Sequence, residues 1–384
     1  MKATQIFEEF LPCTLALTLA LCFSGAALAN PANPTVVAGQ AAFSTAGNAL
    51  TVTNSPNTII NWQGFSIGPG ELTRFVQQSA ASAVLNRVTG MDPSRILGTL
   101  QSNGRVFLIN PNGIAFGAGS RIDVGGLVAS TLNLSNADFL SGRLDFTEHP
   151  GAGGIANEGE VRAAQSGQIL LIAPQVENSG LIAAPNGEVL LAAGKSVRLV
   201  DIANPEIQYE VNAPENAAVN LGSLTGRSIG LHGGAIRHSG NVSADSVGID
   251  EAGRIVFRAA GETRIDGGTV TAMSTAGRAA IVEVLGLALT GESAARCFRR
   301  ARRRHSVGRR HFEGEIRRCK RAGREYLGRI PRFASMPRRP ATAAGVDNGR
   351  MMRRGRGAIS ARGATTSGDG GFVEVSGRHY LDFS

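Results

Sequence analysis

Residues that could carry chemistry are spread thinly along this chain. Cleavage of a polysaccharide needs two carboxylates close together, and a Ca²⁺ site needs several oxygen ligands on one face. The carboxylates between the apolar runs are instead dispersed, without pairs at short spacing: Asp123, Asp145, Asp201, Asp250 and Asp266. We interpret them as solvated corner residues, so the pattern predicts no catalytic residue.

The histidines and cysteines are equally scattered. His232 and His238 lie six residues apart and could contact a metal, whereas Cys297 and Cys319 lack the spacing of metal ligands. Residues 367–371 read SGDGG, which is similar to part of a Ca²⁺-binding nonapeptide, but a single copy is a turn. No glycine-rich phosphate loop precedes a helix pattern. The sequence predicts no metal site and no cofactor.

The elements that must position any site are short strands. Residues 104–131 read GRVFLINPNGIAFGAGSRIDVGGLVAST, in which β-branched runs alternate with Asn, Gly and Pro. Strands are predicted at 106–109, 114–116 and 122–124, with turn chemistry at 110–113. A chain that turns every few residues and keeps returning apolar strands winds around a core.

The winding repeats along the chain. The segment 157–163 (NEGEVRA) returns at 178–184, and the segment 167–173 (GQILLIA) returns at 187–193. Further copies begin at 239, 268 and 357. A period near 20 with two short strands per turn predicts an all-β parallel β-helix, a solenoid that stacks Ile, Val and Leu from coil to coil. An antiparallel sandwich is the structural alternative, and it would show hairpin signals.

A solenoid needs a closed end, because each coil leaves unpaired backbone groups along its edges. Residues 34–75 are less repetitive, and we predict that they form an N-terminal β cap with Trp62 and Phe65 covering the first coil. The composition agrees with a core of small side chains, since 384 residues include 50 glycines but one Trp and three Tyr.

The segment 1–29 is predicted to be a signal peptide, delivered to the Sec machinery. Residues 15–23 form an apolar stretch too short for a membrane-spanning helix, and Ala27 and Ala29 supply the pattern that signal peptidase accepts. Cleavage would leave Asn30 as the first mature residue. The interval from 30 to 296 contains no cysteine, so this domain must be held by its core alone and can cross a membrane unfolded.

One segment departs from the pattern. Residues 296–356 hold 21 Lys and Arg against 4 Asp and Glu, so the net charge of +9 comes from them and the remainder carries −8. The Gly/Val alternation is lost there and resumes at Gly357. Three interpretations compete: a basic tail for nucleic acid or anionic lipid, a solvated linker, and a shifted reading frame in a GC-rich gene. We favour the third, expect an irregular or disordered segment, and expect no nucleic-acid partner.

With these residues in place, the chain resembles the N-terminal secretion domain of filamentous-haemagglutinin-type adhesins, which are exported by two-partner secretion. The resemblance covers residues 34–285, with a repeat fragment after 357. Its motifs are NWQGFSIG at 61–68, Phe75, NRV at 86–88, SRILGTL at 94–100, NGRVFLI at 103–109, NPNGIAFG at 110–117 and GLVAST at 126–131.

The resemblance implies a right-handed parallel β-helix with an N-terminal cap. A dedicated outer-membrane β-barrel transporter with POTRA domains recognises such a domain in the periplasm. Five residues would belong to the secretion motif that it reads: Asn110, Pro111, Asn112, Gly113 and Ile114. From the residues alone, 110–113 could equally be a plain solenoid corner. Exposed strand edges would offer the transporter a second site, by β-augmentation.

The expected organisation is a signal peptide (1–29), a secretion domain (30–285), a basic segment (286–356) and a fragment of a further coil (357–384). We expect secretion through the periplasm to the exterior or cell surface of a Gram-negative bacterium, where a downstream region would contact a host surface or glycan. Two other classes stay open. A β-helical carbohydrate-active enzyme would show an acidic cleft, and a nucleic-acid or membrane binder acting through 296–356 would bind in a salt-dependent way.

Overall fold

The β-branched runs of the sequence wind into a parallel β-helix. The computed structural model describes residues 30–199, 209–212, 217–246, 253–274, 280–290, 293–295, 318–321, 324–327, 357–362 and 372–381. The predicted signal peptide, with Ala27 and Ala29, lies outside the described residues, and so does most of 296–356. Asn30 is the first described residue, and its side chain is hydrogen-bonded to Asn48 and Thr73.

Two opening strands precede nine coils. The opening strands are β1 (Thr35–Ala38) and β2 (Ala41–Ala46). Coils 1 to 3 contain β3 (Ala49–Asn54), β4 (Thr58–Trp62), β5 (Leu72–Gln77), β6 (Ala83–Val88), β7 (Ser94–Ile96), β8 (Thr99–Ser102), β9 (Arg105–Ile109) and β10 (Ile114–Phe116). Coils 4 to 6, with their excursions, contain β11 (Arg121–Val124), β12 (Gly126–Ser130), β13 (Asn133–Leu134), α1 (Asn136–Ser141), β14 (Leu144–Thr147), β15 (Ile155–Asn157), β16 (Glu160–Ala163), β17 (Gln168–Ala173), β18 (Val176–Asn178), β19 (Leu181–Ala193), β20 (Ser196–Leu199), β21 (Tyr209–Asn212) and β22 (Ala217–Asn220). Coils 7 to 9 contain β23 (Ser223–Gly233), β24 (Ala235–His238), β25 (Asn241–Ser246), β26 (Arg254–Ala259), β27 (Glu262–Ile265), β28 (Thr269–Ser274) and β29 (Ile281–Thr290).

Each coil has three faces, and each strand pairs in parallel with its equivalents in the neighbouring coils. The first face runs through β3, β5, β8, β11, β16, β19, β23, β25 and β28. The second runs through β4, β6, β9, β12, β17, β19, β23, β26 and β29. The third runs through β7, β10, β15, β18, β22, β24, β27 and β29. The prediction of two strands per coil is therefore wrong. The strand predicted at 114–116 is a third-face strand, but the repeat of about 20 residues shows only the two longer strands of each coil.

The interior is a stack of aliphatic side chains, as predicted. The repeat seen in the sequence is confirmed, because its equivalent positions are paired: Val161 with Ile182, and Ile169 with Val189. One inward position of the first face holds an aliphatic side chain, at most 1% exposed, in every coil from the third to the ninth: Leu100, Ile122, Val161, Ile182, Leu224, Val242 and Val270. Burying each side chain of this size stabilises the fold by about 1.5–3 kcal/mol.

The N-terminal cap is shorter than predicted. β1 pairs antiparallel with β4 and β2 pairs antiparallel with β3, whereas β3 already pairs in parallel with β5. Trp62 and Phe65 are buried inside the first coil, and Phe43 of β2 packs edge-on against Trp62 with ring centroids 5.7 Å apart. The cap is therefore formed by β1 and β2 rather than by 34–75. The remainder of that stretch is a coil with an aromatic core, which the repeat pattern does not reveal.

A second apolar layer covers the outside of the second face. The strands of the second face are continuous apolar runs, VFLI in β9 and ILLIA in β17, because both sides of this face are buried. The cover consists of α1 and the four-stranded antiparallel sheet β13-β14-β20-β21, which the chain builds in two excursions from the coils. The layer contains Leu85, Phe107, Ile109, Leu170, Ile172 and Leu190 from the β-helix and Leu134, Phe139, Phe146 and Val197 from the cover.

A ladder of buried polar side chains runs along the ends of the third-face strands. Asn157 Nδ2 donates to Asn178 Oδ1 at 2.7 Å, and Asn178 Nδ2 donates to Asn220 Oδ1 at 2.8 Å. His238 takes the next position, with its Nδ1 3.1 Å from Asn220 Nδ2. Because the amide oxygen of Asn220 already faces Asn178, its nitrogen faces the imidazole. His238 Nδ1 must therefore accept, which requires the neutral ring.

Strands also occur beyond coil 9. β30 (Ser293–Ala295) follows it closely, and β31 (Arg318–Arg321) and β32 (Arg324–Leu327) form an antiparallel hairpin. The two hairpin strands are not irregular, contrary to the expectation for the basic segment. β33 (Gly357–Arg362) and β34 (Phe372–Leu381) pair in parallel with β28 and β29. Among the described residues, no helix has the length and apolar character needed to cross a bilayer.

Candidate functional site

Residues 110–114 form the corner between the second and third faces of coil 3. Gly113 N donates to Asn110 O at 3.2 Å and closes the predicted turn. Gly113 has φ 120°, a backbone conformation that glycine adopts without strain. The corner is also tied to coil 4, because Asn110 N donates to Ser130 O at 3.0 Å and Ile114 N donates to Gly154 O at 3.1 Å.

The Asn110 side chain is fully buried and holds the corner together. Its Oδ1 accepts from the backbone N and from Nδ2 of Asn112, each at 3.0 Å. Its Nδ2 donates to Asp92 O and to Ser94 Oγ in coil 2, also at 3.0 Å. Both ends of the amide are therefore used inside the protein. For this residue the geometry favours the plain-corner interpretation, since no part of it is presented to a partner.

The exposed part of the corner lies at Asn112 and in the adjoining loop of coil 2. Asn112 is exposed and Pro111 half-buried, while Asn112 Nδ2 donates to Gly90 O at 2.9 Å and joins the turn to that loop. Met91, at the tip of the loop, is 89% exposed. We define the corner surface as Met91, Asp92, Pro93, Pro111 and Asn112. Sequence reasoning missed Met91, whose only signal is an apolar side chain inside a Gly/Asp/Pro turn.

The cap leaves two uncharged strand edges open. β2 pairs only with β3 and β1 only with β4 among the described strands, and Val37 and Phe43 on them are 46% and 37% exposed. Residues 30–70 contain no Asp, Glu, Lys, Arg or His, and the next such residue along the chain is Glu71. Proteins usually protect an open edge with charge. This end of the β-helix lacks that protection and presents a template for another strand.

The scattered carboxylates do not form an acidic pair where the structure describes them. Asp145 Oδ1 accepts from Arg198 Nε at 3.0 Å, and Asp266 accepts from Arg264 Nε at 2.6 Å. Asp123 is exposed on the first face. Two further carboxylates and the SGDGG turn lie outside the described residues: Asp201, Asp250 and residues 367–371.

The two histidines lie on different faces, His232 on β23 along the second face and His238 on β24 along the third. Burial lowers the pKa of His232 to about 3, with a further contribution from Arg258 and Arg254, and burial lowers the pKa of His238 to about 4. The His238 ring also packs edge-on against Phe257 at 5.4 Å. In the described part of the chain, no three His, Cys, Asp or Glu residues gather into a metal-ligand set.

A comparison with protein families decides the identity of this β-helix. The model of the family described as the TPS secretion domain matches residues 27–272. The chain belongs to the TPS secretion domain family. The solved HMW1 secretion domain from Haemophilus influenzae is similar to it with a TM-score of 0.64 and 36% identity, over 69% of this chain and 72% of that chain.

Two curated relatives of this TPS secretion domain are much longer than the region they share with it. The heme/hemopexin-binding protein of Haemophilus influenzae is 31% identical over an alignment of 233 residues, and the match covers 57% of this chain and 26% of that protein. The filamentous hemagglutinin of Bordetella pertussis is 26% identical over an alignment of 274 residues, and the match covers 64% of this chain and 8% of that protein. The expected family is thus confirmed. The members of this family are the secretion-signal domains of adhesin-type proteins, which Gram-negative bacteria export through an outer-membrane partner.

Several residues that carried the resemblance form the core of the first coils of the TPS secretion domain. Trp62 Nε1 donates to Asn86 Oδ1 at 2.9 Å, and Asn86 Nδ2 donates to Phe107 O at 3.2 Å, so one buried amide links coils 1 to 3. Phe65 stacks on Phe75 with ring centroids 6.4 Å apart. These contacts explain why Trp and Asn occur among aliphatic neighbours.

Arg87, in the same motif, anchors the outer cover. Its Nη1 donates to Asn136 Oδ1 at 2.6 Å and its Nη2 donates to Leu134 O. Burial lowers the pKa of Arg87, although a guanidinium stays charged at any physiological pH. This arginine therefore ties β6 of the β-helix to β13 and α1.

Proposed function

We propose that the outer-membrane transporter recognises this secretion domain at the corner surface. The observation that carries the proposal is the division of the motif into buried and exposed parts. Asn110, Gly113 and Ile114 are buried in the corner, whereas Asn112 is exposed and Pro111 half-buried. A partner that reads this motif in the folded domain touches Pro111 and Asn112, and the buried residues fix their position.

The coil 2 loop extends this surface. Met91 is the most exposed of the large apolar side chains of the described residues, and a flexible thioether adapts to an apolar pocket on a partner. Pro93 lies beside the turn, since a Cβ placed on Gly113 would be 3.7 Å from Pro93 Cβ. The surface therefore combines one amide, Asn112, with two apolar contacts, Met91 and Pro93.

The direct test is export by the cognate transporter of the Asn112→Ala/Met91→Ser double variant. We expect export to fall at least tenfold while the β-sheet circular dichroism signal stays unchanged, because both side chains are exposed and only the two hydrogen bonds of Asn112 Nδ2 are lost. The matched control is Met273→Ser, at a methionine 37% exposed in coil 9. Normal export of the double variant would contradict the proposal. Asn110→Ala is a different experiment, because it removes buried hydrogen bonds and should lower stability together with export.

We propose a second contact at the cap, where POTRA domains in the periplasm add a strand to the open edge of β2. Its backbone groups on that side face no other described strand, and main-chain hydrogen bonds of this kind give affinity without requiring a charged partner. A Thr45→Pro substitution in β2 tests this. If the edge is used, the variant should bind the purified periplasmic domains more weakly than a variant with Pro in place of Ala80, which is exposed and lies outside the strands.

The route and destination complete the proposal. Residues 1–29 direct the chain to the Sec machinery, and signal peptidase cleaves after Ala29, with Ala27 as the second recognition residue. The transporter then moves the chain from the periplasm to the cell surface or exterior. Any contact with a host surface or glycan belongs to a region beyond this domain. N-terminal sequencing of the exported protein should give Asn30; a start elsewhere would refute the cleavage site.

We also propose that the domain acts without catalysis. Asp145 and Asp266 are paired with arginines rather than with a second carboxylate, and His238 belongs to the buried ladder. Folding itself can supply the drive for export, because each coil that docks outside the membrane buries aliphatic side chains against the coil before it and prevents the chain from sliding back.

A further inference from the structure

The number of residues in the sequence between two paired positions increases abruptly after coil 9. On the first face, Val242 pairs with Val270 of the next coil along the chain. Val270 pairs on its other side with Ile359, which lies beyond the whole basic segment. On the second face Ile255 pairs with Val282, but Val282 pairs with Val373, again beyond that segment. Both faces therefore skip the same stretch of sequence between one coil and the next.

The skipped stretch matches the basic segment. Residues 296–356 are the part of the sequence in which the Gly/Val alternation is lost. Removing them would place Ile359 and Val373 about one coil after Val270 and Val282, since coils of this family of folds repeat every 20 to 30 positions or so. On either side of the segment the coil pattern is continuous. Ile359 is 1% exposed in the core of the β-helix, and Val373 is half-buried against that core.

We infer that β33 and β34 belong to a tenth coil of the β-helix, and that residues 296–356 are an insertion which the β-helix does not need. The tenth coil covers the end of coil 9, where Val270 and Val282 would otherwise face solvent. The link is long enough without the insertion. The segment 291–295 would join β29 to β33, whereas the shorter segment 266–268 joins β27 to β28. The deletion would remove the pairing of β30 with β33, because it joins these two strands end to end. It would also remove the hairpin β31–β32, whose first strand packs against β34, but it leaves the pairing of β33 and β34 with coil 9 in place.

Disulfide trapping tests the position of the tenth coil directly. Thr271 and Ser360 are paired in adjacent parallel strands, so their Cα atoms lie about 4.8 Å apart, within the range of about 4.4–6.8 Å that a disulfide spans. Ser243 occupies the same position one coil earlier, about 9.6 Å from Ser360 and out of reach. The mature chain, with Cys297→Ser and Cys319→Ser, carries either Thr271→Cys/Ser360→Cys or the control pair Ser243→Cys/Ser360→Cys.

We expect the first pair to cross-link in most molecules under mild oxidation and the control pair at least tenfold less, measured by mobility on non-reducing gels. Equal yields would overturn the tenth coil. The second arm deletes 296–356 in the same two cysteine backgrounds. The deletion variant should keep the cross-linking pattern and the β-sheet circular dichroism signal of the full chain. Loss of that signal on deletion would overturn the dispensable insertion. Neither arm involves the transporter, so both are independent of the proposed recognition site.

Discussion

Replacing His238 with asparagine should remove part of the acid sensitivity of this β-helix. His238 is fully buried, and it occupies a position of the ladder that Asn157, Asn178 and Asn220 occupy in earlier coils. Asparagine can continue the ladder without a titratable ring. The substitution therefore separates the effect of protonation from the effect of the position itself.

The magnitude follows from the pKa of His238. Its ordinary value is 6.5, and burial lowers the pKa to about 4 in the folded state, so folding favours the neutral imidazole. A group with a lowered folded pKa of this kind contributes its full stability above 6.5 and loses it as the pH falls towards 4. One pH unit corresponds to about 1.4 kcal/mol. His238 should therefore lower the free energy of unfolding by about 2 kcal/mol between pH 7.5 and pH 5.0.

The measurement is the free energy of unfolding in urea at pH 7.5 and 5.0. The difference between the two pH values should be about 2 kcal/mol smaller in His238→Asn than in the unsubstituted chain. His149→Asn is the matched control, because it makes the same substitution at an exposed histidine outside the ladder. An identical pH difference in His238→Asn and in the unsubstituted chain would refute the argument.

Two other buried groups shape the same profile. The pKa of His232 is lowered to about 3, so His232 adds a loss in the same direction and His238→Asn should leave that part in place. Burial raises the pKa of Glu188, so Glu188 destabilises the fold as the pH rises and partly offsets the histidines on acidification. The His238 contribution is therefore read as the difference between variants rather than from one profile.

Further predictions concern packing. Gly180→Ala should prevent adjacent coils from stacking, because the new Cβ would overlap Gly159 O. Gly64→Ala should be neutral, because its Cβ would have no atom within 4 Å. The melting temperatures of the two variants test this. Phe139→Ala should cost about 3–5 kcal/mol by removing the aromatic side chain that packs against Phe107 at 5.1 Å, and limited proteolysis should then cut the excursion that contains α1 first. An uncut excursion in that variant would contradict a cover held by this contact.

The repeat is readable from the sequence because every coil must place an aliphatic side chain inward and a turn at the next corner. Val161 and Ile182 occupy equivalent positions, and their spacing shows in the letters alone. The third face is readable only in part: the strand at 114–116 is predicted, but the repeat does not reveal a third strand in each coil. A strand such as β15, which is short and ends in a buried asparagine, has too little length for alternation to stand out, and Asn157 looks like a turn residue until its partner Asn178 is seen.

The candidate site divides in the same way. The turn at 110–113 is evident from Asn, Pro and Gly in order, but the burial of Asn110 is not, because its partners Asp92 and Ser94 come from the preceding coil. Met91 joins the surface only through the stacking of coils 2 and 3. The apolar runs of β9 and β17 do carry a signal of the outer cover, since a face exposed to solvent would alternate.

The sequence by itself determined the winding of this protein, its aliphatic core, its family and the place where its pattern is interrupted, because those depend on local turn chemistry and on a short period. Only the tertiary structure decided which motif residues are buried, how far the cap extends, and that the chain resumes its register at Ile359 after the basic segment. The physical reason is that pairing between coils joins residues far apart in the chain, as Val282 joins Val373, and such contacts leave no mark on the residues that lie between them.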